Sequence, residues 1–289
     1  MIFMKLGFKR TGGFTLIELL VVIAIIAILA GLLLPAISRA KIQAQRVKAT
    51  TEIQGLKSAI SQYQSAYGRY PTTKLARTTG IDTPTANSAG QAPDFTYGTY
   101  HTYYASAAVT TPADAIPNKK KFPPTSILTS KQASTYQANN SEVMAILMDV
   151  KDWTTGDKGN AENPQHTRFF EPKAVSNNNS AGLGKDGVLR DPWGNPYIIS
   201  FDMNYDGQTR DAVYRQTAVS ADPNDKNGKG LNGLFWSDKT IQDSYEARDG
   251  VMIWSMGQDG AAGSNPASGT APKANVDPNK DNILSWGGK

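Results

Sequence analysis

The arrangement of apolar and polar positions divides the chain sharply. From Leu19 to Leu34 no charged or strongly polar side chain occurs, and Glu18 is the single ionisable group between Phe14 and Ile37. About 20 apolar residues rising 1.5 Å each cross a bilayer core of about 30 Å, and only a helix satisfies its own backbone there. The pattern therefore predicts a membrane helix. A basic leader with Lys5, Lys9 and Arg10, ending in Gly12-Gly13, precedes it. The positive-inside rule places that leader in the cytoplasm and the bulk of the chain outside. No small-residue A-x-A site follows the run, so it does not read as a cleaved secretory signal. Gly31 and Pro35 weaken or kink the helix locally. Beyond them the pattern becomes amphipathic: Ile53, Leu56, Ile60, Tyr63 and Tyr67 keep to one helix face, while Arg39, Lys41, Arg46, Lys48, Glu52 and Lys57 are polar. The helix should end near Gly68, with Pro71 just past it. Phe14 to Tyr67 is then one element of about 80 Å.

The remainder is patterned in patches. Residues 72–138 are rich in Thr, Ala, Pro, Ser and Lys and hold an aromatic cluster of Tyr97, Tyr100, His101, Tyr103 and Tyr104. It reads either as a stacking platform or as a loop packed on the helix. Ala113 to Pro124, with Lys119-Lys120-Lys121, reads as solvated loop. Ser141 followed by an apolar run predicts a capped helix to about Val150. Asn177-Asn178-Asn179 breaks the pattern, and His166 stands without a second His or Cys nearby. Ile198 to Phe201 predicts a strand and Ala212 to Thr217 a returning one, making the residues between them a hairpin loop. Residues 222–233 read as turn and loop, and Gly250 to Ser255 as a strand.

One stretch has the look of hard-cation chemistry. Asp202-Met203-Asn204-Tyr205-Asp206-Gly207 fits the first half of a calcium loop, with Asp202, Asn204 and Asp206 on one side of a turn. Position twelve of that loop is Val213 rather than Glu, leaving Asp211 as a substitute, and a plain Asn/Asp/Gly hairpin turn is the other reading.

Composition adds limits. The net charge of +5 is mostly leader: without Lys5, Lys9 and Arg10, 27 basic residues face 25 acidic ones. The basic balance is therefore no argument for nucleic acid as a partner. The chain has no cysteine, which excludes disulfides, thiol catalysis and Cys-ligated zinc. Two scattered histidines, with neither G-x-S-x-G nor H-E-x-x-H, leave no catalytic constellation, and the chain reads as a non-enzyme.

Gly13-Phe14-Thr15-Leu16-Ile17-Glu18 followed by the apolar run resembles the N-terminal signal of type IV pilins and type II secretion pseudopilins. The resemblance implies cleavage by a prepilin peptidase after Gly13 and methylation of Phe14. It also implies that Glu18 pairs with the terminal amine of a neighbouring subunit, which would offset two desolvation costs. Gly68-Arg69-Tyr70-Pro71 and Asp191-Pro192-Trp193-Gly194-Asn195-Pro196-Tyr197 resemble the G-x-Y-P turn and DPWGNPY element of major pseudopilins. In the latter, two Pro-bearing turns flank a Trp that can seal a sheet against the helix. Ser255-Met256-Gly257-Gln258-Asp259-Gly260, with Asp277, Asp281 and Trp286 downstream, resembles their C-terminal calcium loop. That likeness implies structural calcium held by Asp259, by Asp281 or Asp277, and by the Met256 carbonyl. The family places Asp beside Ile, whereas here Asn282 stands between Asp281 and Ile283.

The expected fold is α+β and pilin-like: a long N-terminal helix packed on a small antiparallel sheet, with an enlarged loop and helix insertion. The expected organisation is a leader over 1–13, a membrane and polymerisation helix over 14–35, its amphipathic continuation over 36–70, the insertion over 71–190, and a sheet and Asp/Gly loop region over 191–289. The resemblance implies a structural subunit of a type II secretion pseudopilus or a type IV pilus-like filament. Its partners would be identical or homologous pilins, the prepilin peptidase, the membrane, and an inner-membrane assembly platform with its ATPase. The chain would cross the bacterial inner membrane once, head in the periplasm. The alternative is a minor pilin or surface binding module whose inserted region recognises a ligand.

Overall fold

The computed structural model describes residues 15–79, 94–98, 138–153, 157–224, 228–238, 243–262, 274–276 and 279–287. The chain divides into two compact units, Met1–Ala44 and Gln45–Lys289, and the boundary falls within helix α1 (Leu16–Tyr67). In the first unit α1 is apolar and unburied: the large side chains from Leu16 to Ile37 are 45–81% exposed. A stretch this long and apolar is able to cross a membrane. Gly68, at φ 67°, terminates the helix in the left-handed conformation that glycine adopts without a Cβ penalty.

In the second unit the α1 stripe of Ala49, Ile53, Leu56, Ala59, Ile60 and Tyr63 is buried, as the 3.6-residue period predicts. The central element is a four-stranded antiparallel sheet. Its strands are β1 (Phe95–Tyr97), β6 (Ile198–Phe201), β9 (Val251–Ser255) and β10 (Ile283–Leu284), in the order β1-β6-β9-β10. The sheet is buried on both faces. Ile199, Phe201, Val251 and Ile253 join a core with α1, helix α3 (Ser141–Leu147), Phe95 and Tyr97. Ile198, Met252 and Trp254 join a second core with Val213, Tyr214, Val219, Tyr245 and Trp286. The alternation of side chains along a strand thus feeds two cores from one sheet.

Smaller elements complete this unit. They are helix α2 (Lys74–Thr79), the ribbons β2 (Val150–Asp152) with β3 (Asp157–Lys158) and β4 (Gly182–Leu183) with β5 (Leu189–Arg190), the one-turn helix α4 (Thr217–Ser220), and the ribbon β7 (Phe235–Trp236) with β8 (Tyr245–Glu246).

Several local expectations are corrected. The returning strand over 212–217 does not form; residues 212–215 turn, and α4 follows. The cause is Asp211, whose buried carboxylate accepts the amide N–H groups of Val213 and Tyr214 and curls the chain. β6 pairs instead with β1 and β9. The helix expected to Val150 stops at Leu147, and Asp149 takes φ 57°. Ser141 does not cap it: the Asn139 side chain accepts the Ser141 N–H and hydroxyl. Tyr97 is neither platform nor loop but a core residue on β1, while Tyr100, His101, Tyr103 and Tyr104 lie outside the described residues. His166 is 61% exposed, and its Nδ1 lies 3.0 Å from Asp149 Oδ1.

Candidate functional site

Gly13 and Phe14 lie outside the described residues. Immediately after them Thr15 and Glu18 form a reciprocal cap. Glu18 Oε2 accepts from the Thr15 N–H at 2.8 Å and from the Thr15 hydroxyl at 2.7 Å, and the Glu18 N–H donates to Thr15 Oγ1 at 3.3 Å. This is the T-x-x-E capping box, which satisfies orphan donors at the start of a helix. Glu18 thus already has a partner within its own chain. The spacing was legible in the sequence, although Glu18 stood out there as the lone charge of an apolar run and as part of the signal's resemblance, and not as half of a cap.

The DPWGNPY element forms a turn anchored on one buried carboxylate. Asp191 Oδ1 accepts from the N–H of Trp193 at 2.9 Å and of Asn195 at 2.8 Å, while Oδ2 accepts from the Ser255 hydroxyl at 2.6 Å. Burial pushes the Asp191 carboxyl up to about 6 against these hydrogen bonds. Asn195 Nδ2 donates to the Gly257 carbonyl at 3.0 Å, tying the element to the turn after β9. Trp193 packs against the first core as its position implied. Two contacts fasten this region to α1: the Gln45 amide donates to the Pro192 carbonyl at 3.2 Å, and the Tyr197 hydroxyl to Glu52 Oε2 at 2.6 Å.

The turn after β9 is closed from the far end of the chain. Asp281 Oδ2 accepts from the N–H of Gln258 at 2.6 Å and of Asp259 at 3.1 Å, while Asp259 Oδ1 accepts from the Ala261 N–H at 2.8 Å. The structure therefore brings Asp281 to the Met256–Asp259 turn, and Asp277 falls outside the described residues. Gly257, at φ 65°, leaves room for this approach; a Cβ there would stand 2.4 Å from the Asp281 carbonyl oxygen. Asp281 Oδ1 and Asn282 Oδ1 are buried and accept no hydrogen bond. A buried acceptor with no donor costs about 1–3 kcal/mol, and a cation is one way to satisfy it. Among the described residues no group of three or more His, Cys, Asp and Glu gathers as metal ligands, so an ion here would draw on carbonyl and amide oxygens as well.

The second loop is tightly self-bonded. Asp202 Oδ2 accepts from the Gly207 N–H at 2.8 Å and Oδ1 from the Asp206 N–H at 3.2 Å. Asn204 Oδ1 accepts from the same Asp206 N–H at 3.2 Å, and Asp206 Oδ1 from the Gln208 N–H at 2.8 Å. Its base is clamped by Asp94, a residue the sequence reading passed over. The Asp94 carboxylate accepts from Met203 N–H at 3.0 Å and Arg210 N–H at 2.6 Å, and burial pushes its pKa well up. Asp211 is not the substitute ligand. It is buried among Ser200, Trp254, Val213 and Tyr214, all of which donate to it.

An exposed apolar N-terminal helix, a second stretch of the same helix packed on an antiparallel sheet, and a carboxylate at the helix start make an α+β, pilin-like architecture whose first helix is long and apolar enough to cross a membrane. Comparison with known proteins agrees. Residues 8–34 match the family described as the prokaryotic N-terminal methylation motif. The chain is 40% identical over 78 residues to type II secretion system core protein G of Aeromonas hydrophila, covering 27% of this chain and 54% of the relative. It is 38% identical over 73 residues to the protein of that name in Escherichia coli, covering 25% and 50%. A type IV major pilin protein of Neisseria gonorrhoeae is 38% identical over 79 residues, covering 27% and 47%. The chain spans about half the length of the curated relatives it matches. No solved structure matches the chain.

Proposed function

We propose that the chain is a structural subunit of a type II secretion pseudopilus or a type IV pilus-like filament, made as a membrane-anchored precursor. In this reading a prepilin peptidase cuts after Gly13 and Phe14 becomes the methylated mature terminus. The subunit then enters the filament through the apolar half of α1. The observation that carries the reading is the methylation motif over residues 8–34 running into an exposed apolar helix that opens on Glu18. A buried carboxylate in lipid is costly unless paired. A neighbour's amine would replace the Thr15 cap with a full opposite charge. An inner-membrane platform and ATPase, and a periplasmic position for the second unit, belong to the same proposal. The intact mass of the protein from its native membrane tests it: the expected mature chain starts at methylated Phe14, and one that still starts at Met1 overturns the reading.

A structural calcium ion is part of the proposal. At the first site it would be held by Asp259, Asp281 and the Met256 carbonyl, with Asp277 as a further candidate; the buried, undonated Asp281 Oδ1 supports this placement. When bound, it would tie the last residues of the chain to the turn after β9. The Asp202, Asn204 and Asp206 loop is the second candidate.

A further inference from the structure

The first unit holds two cations that the filament reading does not use. Between Glu18 and Glu52 the sequence has no acidic residue, whereas Arg39, Lys41, Arg46 and Lys48 are all basic. Lys48 lies 3.7 Å from Glu52 within the second unit. In the first unit Arg39 and Lys41 are exposed, and among the described residues neither has a hydrogen-bond or ion-pair partner. They follow the apolar run at short range. Residues 16–37 rise about 33 Å, enough for a bilayer core of about 30 Å, and Arg39 and Lys41 come about 3 and 6 Å further along the axis. That is the depth of the headgroup layer. Two residues apart on a helix, they point to roughly opposite sides, so the helix carries positive charge around its circumference there. These cations stand on the side of the span opposite the leader, against the usual bias of Lys and Arg to the leader's side. Their position therefore calls for a counter-charge at headgroup depth.

We infer that Arg39 and Lys41 form a binding site for anionic phospholipid headgroups at the membrane surface away from the leader. The inference rests on the membrane-anchored reading of α1. Long basic side chains keep their stems along the apolar helix while the charged ends reach phosphate oxygens. Near an anionic surface each such cation favours binding by roughly fivefold.

The test uses the full chain in vesicles of equal parts phosphatidylglycerol and phosphatidylcholine, with spin-labelled forms of each reporting which lipids the protein immobilises. Resistance to alkaline extraction is measured on the same samples. The wild-type chain should hold phosphatidylglycerol in preference to phosphatidylcholine, and high salt should weaken the preference. In Arg39→Gln/Lys41→Gln the preference should drop at least about fivefold while extraction resistance stays unchanged. A chain that alkali extracts would sink the membrane-anchored reading itself. An inserted chain with no lipid preference overturns this inference alone. So does a preference that the double variant keeps, which would assign it to the leader cations. Loss of crosslinking between copies in the variant, with lipid preference intact, would assign the two cations to a neighbouring subunit instead and also overturns it.

Discussion

Among the described residues neither Glu18 nor Asp191 has a cationic partner, and the two carboxylates call for opposite treatment. Glu18 is held by the Thr15 N–H and hydroxyl as part of a helix cap. Glu18→Ala should therefore leave membrane insertion intact, since it removes a charge from the apolar run, but should abolish filament assembly, as counted by electron microscopy of sheared cells. Wild-type filament numbers would leave Glu18 without an assembly role. Asp191 is fully enclosed, with its carboxyl raised to about 6. Its folded pKa lies above the ordinary value of 3.8, so between these the folded chain binds more protons than the unfolded one. The Asp191 contribution to stability should fall as pH rises from about 4 to about 6, by at most about 3 kcal/mol, and be lost above that window. Asp191→Asn should reduce the slope in urea titrations across that range, leaving the slope that Asp94 and Asp202, also pushed up, would give. A slope unchanged in the variant would remove Asp191 as its source. Sequence alone exposed Glu18, because one charge in an apolar run is conspicuous. It could not expose the state of Asp191, which depends on its burial in the fold and on a hydrogen bond from Ser255, 64 positions away.

Among the elements, α1 was legible almost to the residue because its apolar spacing, its terminating Gly68 and the following Pro71 agree. β6 and β9 were legible for the same reason of consistent local pattern. β1 was not: Phe95-Thr96-Tyr97 is three residues long, and its membership of the sheet comes from pairing with Phe201, Ser200 and Ile199, more than a hundred positions away. The false strand over 212–217 failed because its β-branched and aromatic residues lose to one Asp side chain. What fastens α1 to the segment following α3 was equally hidden. Buried Asn163 accepts from the Tyr67 hydroxyl at 2.6 Å and donates to the carbonyls of Ile146 at 3.0 Å and Thr167 at 2.7 Å. Asn163→Ala would strand these groups and should destabilise the second unit by about 2–4 kcal/mol, measured as a lower urea midpoint with unchanged m-value. A loss under about 0.5 kcal/mol, the scale of a neutral surface change, would mean that water replaces the amide without cost.

For the whole molecule, the last residues pose the question of what holds a short, turn-rich segment without disulfides. Packing supplies part of the answer: Trp286 meets Tyr214 edge to face at 5.1 Å between ring centroids, and the Asn282 amide donates to the Tyr214 hydroxyl at 2.8 Å. If calcium supplies the rest, EGTA should lower the melting temperature of the detergent-solubilised chain. Ca²⁺ should restore it better than Mg²⁺, and at a hundredfold excess over its dissociation constant Ca²⁺ should stabilise the folded chain by about 2.7 kcal/mol. Asp259→Ala should lose that response. An identical melting curve with chelator, in protein shown metal-free by elemental analysis, would leave packing as the sole restraint.

The five residues of β9 send Val251 and Ile253 to one side of the sheet and Met252 and Trp254 to the other. Neither side can loosen while the other stays intact, because both would have to give up the same strand. Heat should accordingly melt the second unit in a single calorimetric peak, with the enthalpy under the peak equal to the enthalpy from its steepness. A substitution placed on either side should shift that one peak without splitting it.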